Sequence, residues 1–136
     1  MTPIVPSGKR DRPSVAGEAG ANLAWHIKQL SPLYLVKTEY RFDLKRKWRF
    51  DVAVLGIAYD CEPQSLKIAV EIEGGIFAKA GGGRHNRGAG MKADLEKYAE
   101  AALLGWMVLR VLPEWVKSGK ALGWVERAIA LRQAKP

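Results

Sequence analysis

Three stretches in the middle of the chain alternate apolar and polar residues, and they constrain the fold more than any other feature of the sequence. They cover Lys37–Phe42, Trp48–Ala58 and Leu66–Glu73. A period of two places successive side chains on opposite faces of a strand, so each stretch predicts a β-strand with at least one buried face. Asp43–Lys47 separates the first two stretches and predicts a hairpin with a strongly basic tip. Three consecutive strands predict an antiparallel meander.

Helical spacing of apolar residues brackets these strands. A helix between the third and fourth strands predicts a right-handed crossover and therefore a parallel strand pair. Gly105 follows that helix where a left-handed cap residue belongs, and Tyr98, Leu103 and Leu104 are expected in the core. The sequence thus predicts an α/β fold with a mixed sheet flanked by helices. The remaining elements are a helix capped by Ser14 and ending near Leu30, a helix over Met91–Leu104, a strand over Trp106–Leu112, a short helical turn, and a last helix over Ala121–Gln133.

The charge of the chain favours a polyanionic partner. Lys and Arg outnumber Asp and Glu by enough to give a formal net charge of +8. Such an excess lies on the surface and favours binding to nucleic acid or to an acidic membrane. Residues 1–13 are rich in Pro and basic side chains, so we expect a flexible basic arm there and a single domain over residues 14–136.

Composition excludes several classes of protein. A mean hydropathy of −0.15, without an apolar run near ~20 residues, argues against a membrane span. One cysteine excludes a disulfide framework. His26, His85 and Cys61 do not form a standard four-ligand zinc site. The first residues lack the apolar segment of a signal peptide, and we expect a soluble, cytoplasmic protein.

Residues 74–90 contain half of the chain's glycines together with several basic residues. A loop of this length within a compact domain is usually functional or disordered. Gly88 is followed by Ala89 and not by the Lys-Ser/Thr of a phosphate-binding P-loop, so a nucleotide site is not predicted. We expect a basic loop that contacts phosphates. In it, His85 either contacts phosphate or assists proton transfer, or it is simply a solvated loop histidine. Its candidate DNA-binding residues are Lys79, Arg84, His85 and Arg87.

Carboxylates on the predicted strands are the main candidates for chemistry. Asp51 lies within the second strand, and Glu71 and Glu73 share one face of the third. An acid on a buried strand face is costly unless it is paired or binds a cation. If Asp51 points to the same face, the three oxygen-rich side chains suit Mg²⁺ or Mn²⁺. The alternative is that Glu71 and Glu73 only solvate an exposed face of the sheet.

The pattern Asp51, then Glu71-Ile72-Glu73, then a helix and a strand, resembles the PD-(D/E)XK nuclease superfamily. The surrounding sequence is similar to small nuclease-like proteins of phages and prophages. The superfamily has a restriction-endonuclease-like α-β-β-β-α-β core, so the resemblance implies this fold and metal-dependent hydrolysis of phosphodiester bonds. The similar segments are 39–42, 47–53, 68–75, 83–85, 94–98 and 104–110.

The resemblance also implies roles for individual residues. Asp51, Glu71 and the backbone carbonyl of Ile72 would bind the metal. Glu18 of the first helix matches an additional metal-site acid of resolvase-like members, although a solvated helix face also explains it. Asp94 and Glu96 would support the site or would be ordinary acids at a helix N-terminus.

Glu73 departs from the superfamily pattern, because that position usually holds Lys. A glutamate there either orients water or binds a second metal, or it fills an abandoned lysine position. Lys97 is the best candidate for the missing cation. Arg110 is expected either to pair with an acid or to bind phosphate.

Together these features predict a Mg²⁺- or Mn²⁺-dependent DNA endonuclease. Selectivity for branched DNA would suit a Holliday-junction resolvase or a repair nickase, and the alternative is a catalytically silent nucleic-acid-binding module of the same fold. A homodimer through the apolar C-terminal segment is also expected, unless its Trp residues pack within one chain. The residues expected to hold DNA in the hairpin are Lys45, Arg46, Lys47, Trp48 and Arg49, and the apolar C-terminal residues are Trp115, Val116, Leu122, Trp124 and Val125.

Overall fold

The computed structural model describes residues 14–62, 64–74 and 87–134. Over these residues the predicted helices and strands are confirmed, with shifted ends. The first strand and the second helix begin earlier than predicted, and the third strand is shorter. The predicted basic arm lies outside the described residues. In chain order the elements are α1 (Val15–Leu30), β1 (Tyr34–Arg41), β2 (Arg49–Ile57), β3 (Ile68–Ile72), α2 (Arg87–Leu103), β4 (Met107–Val111), α3 (Pro113–Ser118) and α4 (Lys120–Gln133).

The strands form one mixed sheet in the order β1-β2-β3-β4. β1 and β2 are antiparallel, and so are β2 and β3. β3 and β4 are parallel, with Glu71 opposite Arg110, and α2 lies between them in the chain. The predicted α/β class, with an antiparallel meander followed by a parallel pair, is therefore confirmed.

Helices cover both faces of this sheet. On one face, branched side chains such as Val52 and Val70 pack against buried residues of α1 and α4, among them Ile27 and Val125. On the other face, Phe50 and Ala69 form a smaller cluster with Ala101 of α2 and with Trp106. Burial of these side chains on two sides is what holds the strands in place between the helices.

Specific caps fix the ends of two helices. Ser14 Oγ accepts the N–H of Gly17 at 3.0 Å, which satisfies a donor of the first turn of α1. At the end of α2, Gly105 adopts φ +90°, a conformation that side-chain-bearing residues rarely take. The N–H groups of Gly105 and Trp106 bond to the carbonyls of Ala102 and Ala101, each at 3.0 Å. This Schellman arrangement turns the chain directly into β4.

Two predictions about core residues are wrong. Leu103 is 82% exposed and Leu104 is 45% exposed, because α2 meets the sheet through Ala101 and turns these two leucines outward. In contrast, Val125 is fully buried, and Trp115 and Trp124 pack against the core within the chain, with ring centroids 5.3 Å apart. The C-terminal aromatic residues thus have an intramolecular role.

No helix in the described part of the chain is long and apolar enough to cross a lipid bilayer.

Candidate metal and nucleic-acid site

The pairing of β2 with β3 ends where the candidate carboxylates begin. The ladder runs from Val54↔Ile68 to Val52↔Val70 and is not continued toward Asp51 and Glu71. Instead, the side chain of Asp51 accepts the backbone N–H of Ile72 through Oδ2 at 2.7 Å. The N–H of Ile72 thus bonds to a side-chain oxygen of Asp51 and not to a backbone carbonyl of β2. This bond holds the Asp51 side chain at the point where the two strands separate.

Glu71 is a buried carboxylate with a cationic partner. Only 8% of the residue is exposed, and its Oε1 forms an ion pair with Nζ of Lys97 from α2. The pKa of the Glu71 carboxyl is raised from 4.5 to about 7, because burial and, to a smaller extent, the nearby Asp51 raise it more than Lys97 lowers it. Lys97, the residue predicted to supply the missing cation, is therefore the ion-pair partner of Glu71.

Glu73 has a different partner. It follows the last residue of β3, and its N–H donates to the carbonyl of Val111 at 2.8 Å. Its carboxylate pairs with Nε of Arg110 at 2.5 Å, and the Arg110 guanidinium lies 4.7 Å from the ring centroid of Tyr98 on α2. This carboxylate raises the pKa of the Arg110 guanidinium. The expected pairing of Arg110 with an acid is thus present, and the charge of Glu73 is balanced within the chain.

Tyr98 lies between the two ion pairs. Its ring centroid is 5.6 Å from Nζ of Lys97 and 4.7 Å from the guanidinium carbon of Arg110 on β4. Burial raises the pKa of the Tyr98 hydroxyl, and the negative charge of Glu71 adds to this effect. A neutral phenol at this position separates the Glu71–Lys97 pair from the Glu73–Arg110 pair.

The point where β2 and β3 separate, beside Asp51 and Glu71, is called the strand split. The possible ligands there suit a hard divalent cation. They comprise the carboxylates of Asp51 and Glu71 and the carbonyl of Ile72, all of them oxygen ligands. Two carboxylates close enough to raise a pKa carry negative charge that a bound cation would offset. Among the described residues, no group of three or more His, Cys, Asp or Glu side chains is arranged to hold a metal. The candidate site therefore depends on two carboxylates, a backbone oxygen and water.

Glu18 lies on the exposed side of α1, in a groove that α1 shares with α3. Asn22, His26 and Lys117 line the same groove. The role of Glu18 as an additional metal ligand remains a prediction.

The β1–β2 hairpin forms a positively charged feature at the same edge of the sheet as the strand split. Asp43 Oδ1 accepts the N–H groups of Lys45 and Arg46 at 2.7 and 2.9 Å, and these bonds lower the pKa of the Asp43 carboxyl. Arg41 Nε donates to the carbonyl of Arg46 at 3.1 Å. The tip is thus an ordered turn, and the exposed cations of the hairpin include Lys45, Arg46, Lys47 and Arg49.

Arg46 is the cation of this hairpin with the most contacts. Its guanidinium lies 4.4 Å from the ring centroid of Trp48 and 3.3 Å from Oε2 of Glu96 on α2. Sequence reasoning did not find this pair, since the partners are 50 residues apart and neither residue type signals the other. α2 begins at Arg87, so Asp94 and Glu96 lie inside the helix, and the expectation of N-terminal helix acids is wrong.

A stack of aromatic rings joins the hairpin to the candidate metal site. Trp48 stacks on Phe42 at 6.1 Å, and Phe42 stacks on Phe50 at 4.1 Å with nearly parallel planes. Phe50 in turn lies 5.0 Å from Trp106 and 5.7 Å from Nζ of Lys97. Trp48 therefore has a structural role in this stack, whatever else it binds.

The remaining predicted DNA-binding residues cannot be placed beside these features. Lys79, Arg84 and His85 lie outside the described residues, and Arg87 is described only as the first residue of α2.

Comparison with protein-family models, with curated proteins and with solved structures finds no match for this chain.

Proposed function

We propose that this chain is a metal-dependent DNA endonuclease. The observation that carries the proposal is the joint position of Asp51, Glu71 and Lys97 where β2 and β3 separate. Two carboxylates and a lysine at one end of a mixed sheet, in a chain of net charge +8, suit the hydrolysis of a phosphodiester. The α-β-β-β-α-β order and the resemblance to the PD-(D/E)XK superfamily support the same activity.

The roles follow from the chemistry of each group. Asp51 and Glu71, with the carbonyl of Ile72, would hold Mg²⁺ or Mn²⁺. When the cation is bound, its contribution is neutralisation of phosphate charge and a lower pKa for water. Lys97 would stabilise negative charge on the phosphate, which is the role of the lysine that Glu73 replaces. Hydrolysis would add water across the bond between phosphorus and the 3′ oxygen, so that the 3′ hydroxyl leaves.

We propose branched or duplex DNA as the substrate, as for a junction resolvase or a repair nickase that acts in the cytoplasm of a bacterial or phage-infected cell. The described residues form one α/β unit, and a separate domain for reading base sequence is not among them. Phosphate contacts by exposed cations fix position on DNA without reading sequence. The hairpin and the strand split would therefore distinguish DNA molecules by their shape and not by their base sequence.

A catalytically silent nucleic-acid-binding module is the second candidate function. Two observations favour it: Glu73 is balanced by Arg110, and Lys97 is already paired with Glu71. In that case the ion pairs would serve stability, and the hairpin would still bind DNA.

One experiment separates the two functions. The purified chain is incubated with linear, nicked and four-way branched DNA in Mg²⁺, in Mn²⁺ and in EDTA. The endonuclease predicts strand cleavage in either metal and none in EDTA. Binding without cleavage in every metal would leave the silent module.

A homodimer would allow two nicks placed symmetrically on a branched substrate. Because Trp115 and Trp124 pack within the chain, the C-terminal segment adds no argument for such a dimer. It stays a prediction, and sedimentation at micromolar concentration tests it. A single species near 15.0 kDa for the free chain, together with one copy of the chain per DNA in the complex, would exclude the paired-nick mechanism.

A further inference from the structure

Leu44 is a completely exposed apolar side chain at the tip of the β1–β2 hairpin. It is 99% exposed, the highest value among the large apolar residues of the described ranges. Single exposed leucines are common on protein surfaces and need no explanation by themselves. Leu44 combines this full exposure with a position in an ordered turn: Asp43 Oδ1 accepts the N–H groups of the two residues that follow Leu44. Its direction is therefore set by the backbone.

Cations follow this leucine directly. Lys45, Arg46 and Lys47 are all exposed, and Arg46 is held against Trp48 and Glu96. An apolar tip with positive charge beside it is complementary to nucleic acid, in which bases lie between rows of phosphates. Proteins that kink DNA use this combination: an apolar side chain enters a base step while cations hold the backbone.

The hairpin also lies at the correct end of the sheet. β2 begins at Arg49 and runs antiparallel to β3, so the hairpin and the end of β3 at Ile72 share one edge of the sheet. The stack from Trp48 through Phe42 to Phe50 gives the tip a rigid support that reaches the neighbourhood of Lys97. DNA held by the hairpin would thus be adjacent to Asp51 and Glu71.

We propose that Leu44 is a wedge that enters an unstacked base step of DNA while the hairpin cations hold the flanking phosphates. This inference rests on the proposed function, which it deepens by naming the substrate class: DNA with a nick or a branch, where a base step opens at least cost. Unstacking an intact duplex costs a few kcal/mol per step, whereas a nick has already lost one backbone constraint.

An acidic membrane is the other partner that such a tip could suit, and the structure favours DNA. Stable membrane attachment requires a broad apolar face or two separate anchoring signals. The hairpin offers one leucine, and its neighbouring aromatic rings are stacked on each other beneath the tip instead of being presented beside it.

The test compares Leu44→Ser with Leu103→Ser in EDTA. Leu103 is a matched control, because it is also a largely exposed leucine (82%) and lies at the end of α2 that leads into the start of β4, away from the hairpin. Neither change removes a core contact, so both variants are expected to fold as the parent does. The probes are an intact duplex, and the same duplex nicked beside a 2-aminopurine base whose fluorescence rises on unstacking.

We expect Leu44→Ser to bind the nicked duplex about 10-fold more weakly and the intact duplex less than about 2-fold more weakly, as loss of one buried leucine contact predicts. The fluorescence rise seen with the parent chain should disappear in this variant and persist in Leu103→Ser. Equal binding and an equal fluorescence rise in Leu44→Ser would overturn the wedge. Loss of binding to phosphatidylserine vesicles, with DNA binding unchanged, would replace it by a membrane contact.

Failure of the wedge and failure of the proposed function give different results. If the parent chain cleaves DNA in Mg²⁺ and Leu44→Ser binds nicked DNA as the parent does, only the wedge is wrong. If Leu44→Ser loses nicked-DNA binding but the parent never cleaves, the wedge holds and the chain is a binding module. If the parent binds none of the DNA probes, both proposals are wrong.

Discussion

The carboxylate of Asp51 accepts the backbone N–H of Ile72 at 2.7 Å, at the point where β2 and β3 cease to pair. This hydrogen bond joins a candidate metal ligand to the backbone of the residue whose carbonyl is another. The Asp51 side chain therefore positions the backbone of the site and also supplies negative charge to it. An informative substitution changes only one of these two properties.

Asp51→Asn makes that separation. The amide oxygen of asparagine can still accept the Ile72 N–H, whereas the negative charge is lost. We expect cleavage to fall below detection at saturating Mg²⁺ and DNA affinity to stay within about 3-fold of the parent, since removing a ligand charge acts mainly on the metal. Glu71→Gln should behave alike, and Glu126→Gln, at an exposed residue of α4, is the control. Parent-like cleavage by Asp51→Asn or Glu71→Gln would contradict the assignment of the site.

Glu71 also predicts how the stability of the metal-free chain depends on pH. Its pKa is about 7 in the folded chain and near 4.5 for an ordinary glutamate, so the folded state holds the proton more tightly. The stabilisation that results is fully present below pH 4.5 and is lost as the pH rises to about 7. A shift of this size corresponds to at most about 3 kcal/mol in the free energy of unfolding.

Urea unfolding in EDTA at a series of pH values measures this loss. We expect the free energy of unfolding of the parent to decrease relative to that of Glu71→Gln between pH 4.5 and about 7, since the glutamine cannot titrate. Adding Mg²⁺ near pH 8 should recover part of the difference in the parent and none in the variant. Parallel pH profiles for the two chains would show that Glu71 titrates normally.

Glu73→Lys restores the residue that the nuclease superfamily usually has at this position, and the structure predicts that it will fail. The new lysine would lie beside Arg110, whose partner is Glu73 at 2.5 Å. Because this pair is partly exposed, we expect a loss of stability of only about 1 kcal/mol, together with weaker Mg²⁺ binding and no gain in cleavage. Glu73→Gln is the neutral control for the loss of the acid alone. Faster cleavage by Glu73→Lys, with unchanged Mg²⁺ affinity by calorimetry, would show that Glu73 only fills an abandoned lysine position.

The sequence predicts the strands and caps better than it predicts the ion pairs, for a physical reason. Alternation in β2, the cap at Ser14 and the turn at Gly105 are local, since each depends on residues a few positions apart. The Arg46–Glu96 pair depends on how the hairpin lies against α2. The two partners are 50 residues apart, so no local sequence pattern predicts that they meet. Lys97 was the best candidate for the missing cation, because it lies one turn after Asp94 on the helix that follows β3. The exposure of Leu103 was not predictable, because helical spacing alone does not specify how deeply α2 packs against the sheet.

The Arg46–Glu96 pair leads to a prediction about DNA affinity. Glu96 holds the Arg46 guanidinium at 3.3 Å, and both side chains are half exposed, so a DNA phosphate can compete for the same cation. Arg46→Ala should weaken DNA binding and reduce the slope of log K against log salt by about one unit, since one phosphate contact is lost.

Glu96→Gln should have the opposite effect on affinity, because Arg46 no longer has to break its ion pair with Glu96 before it binds a DNA phosphate. We expect binding about 2- to 5-fold tighter at low salt, in line with the small free energy of an exposed ion pair. Glu100→Gln removes the same charge from an exposed position one turn further along α2 and controls for net charge. Anisotropy titrations at several salt concentrations measure all three variants. If Glu96→Gln binds DNA no more tightly than Glu100→Gln does, then Glu96 does not compete with phosphate, and Arg46 serves only to hold the hairpin against α2.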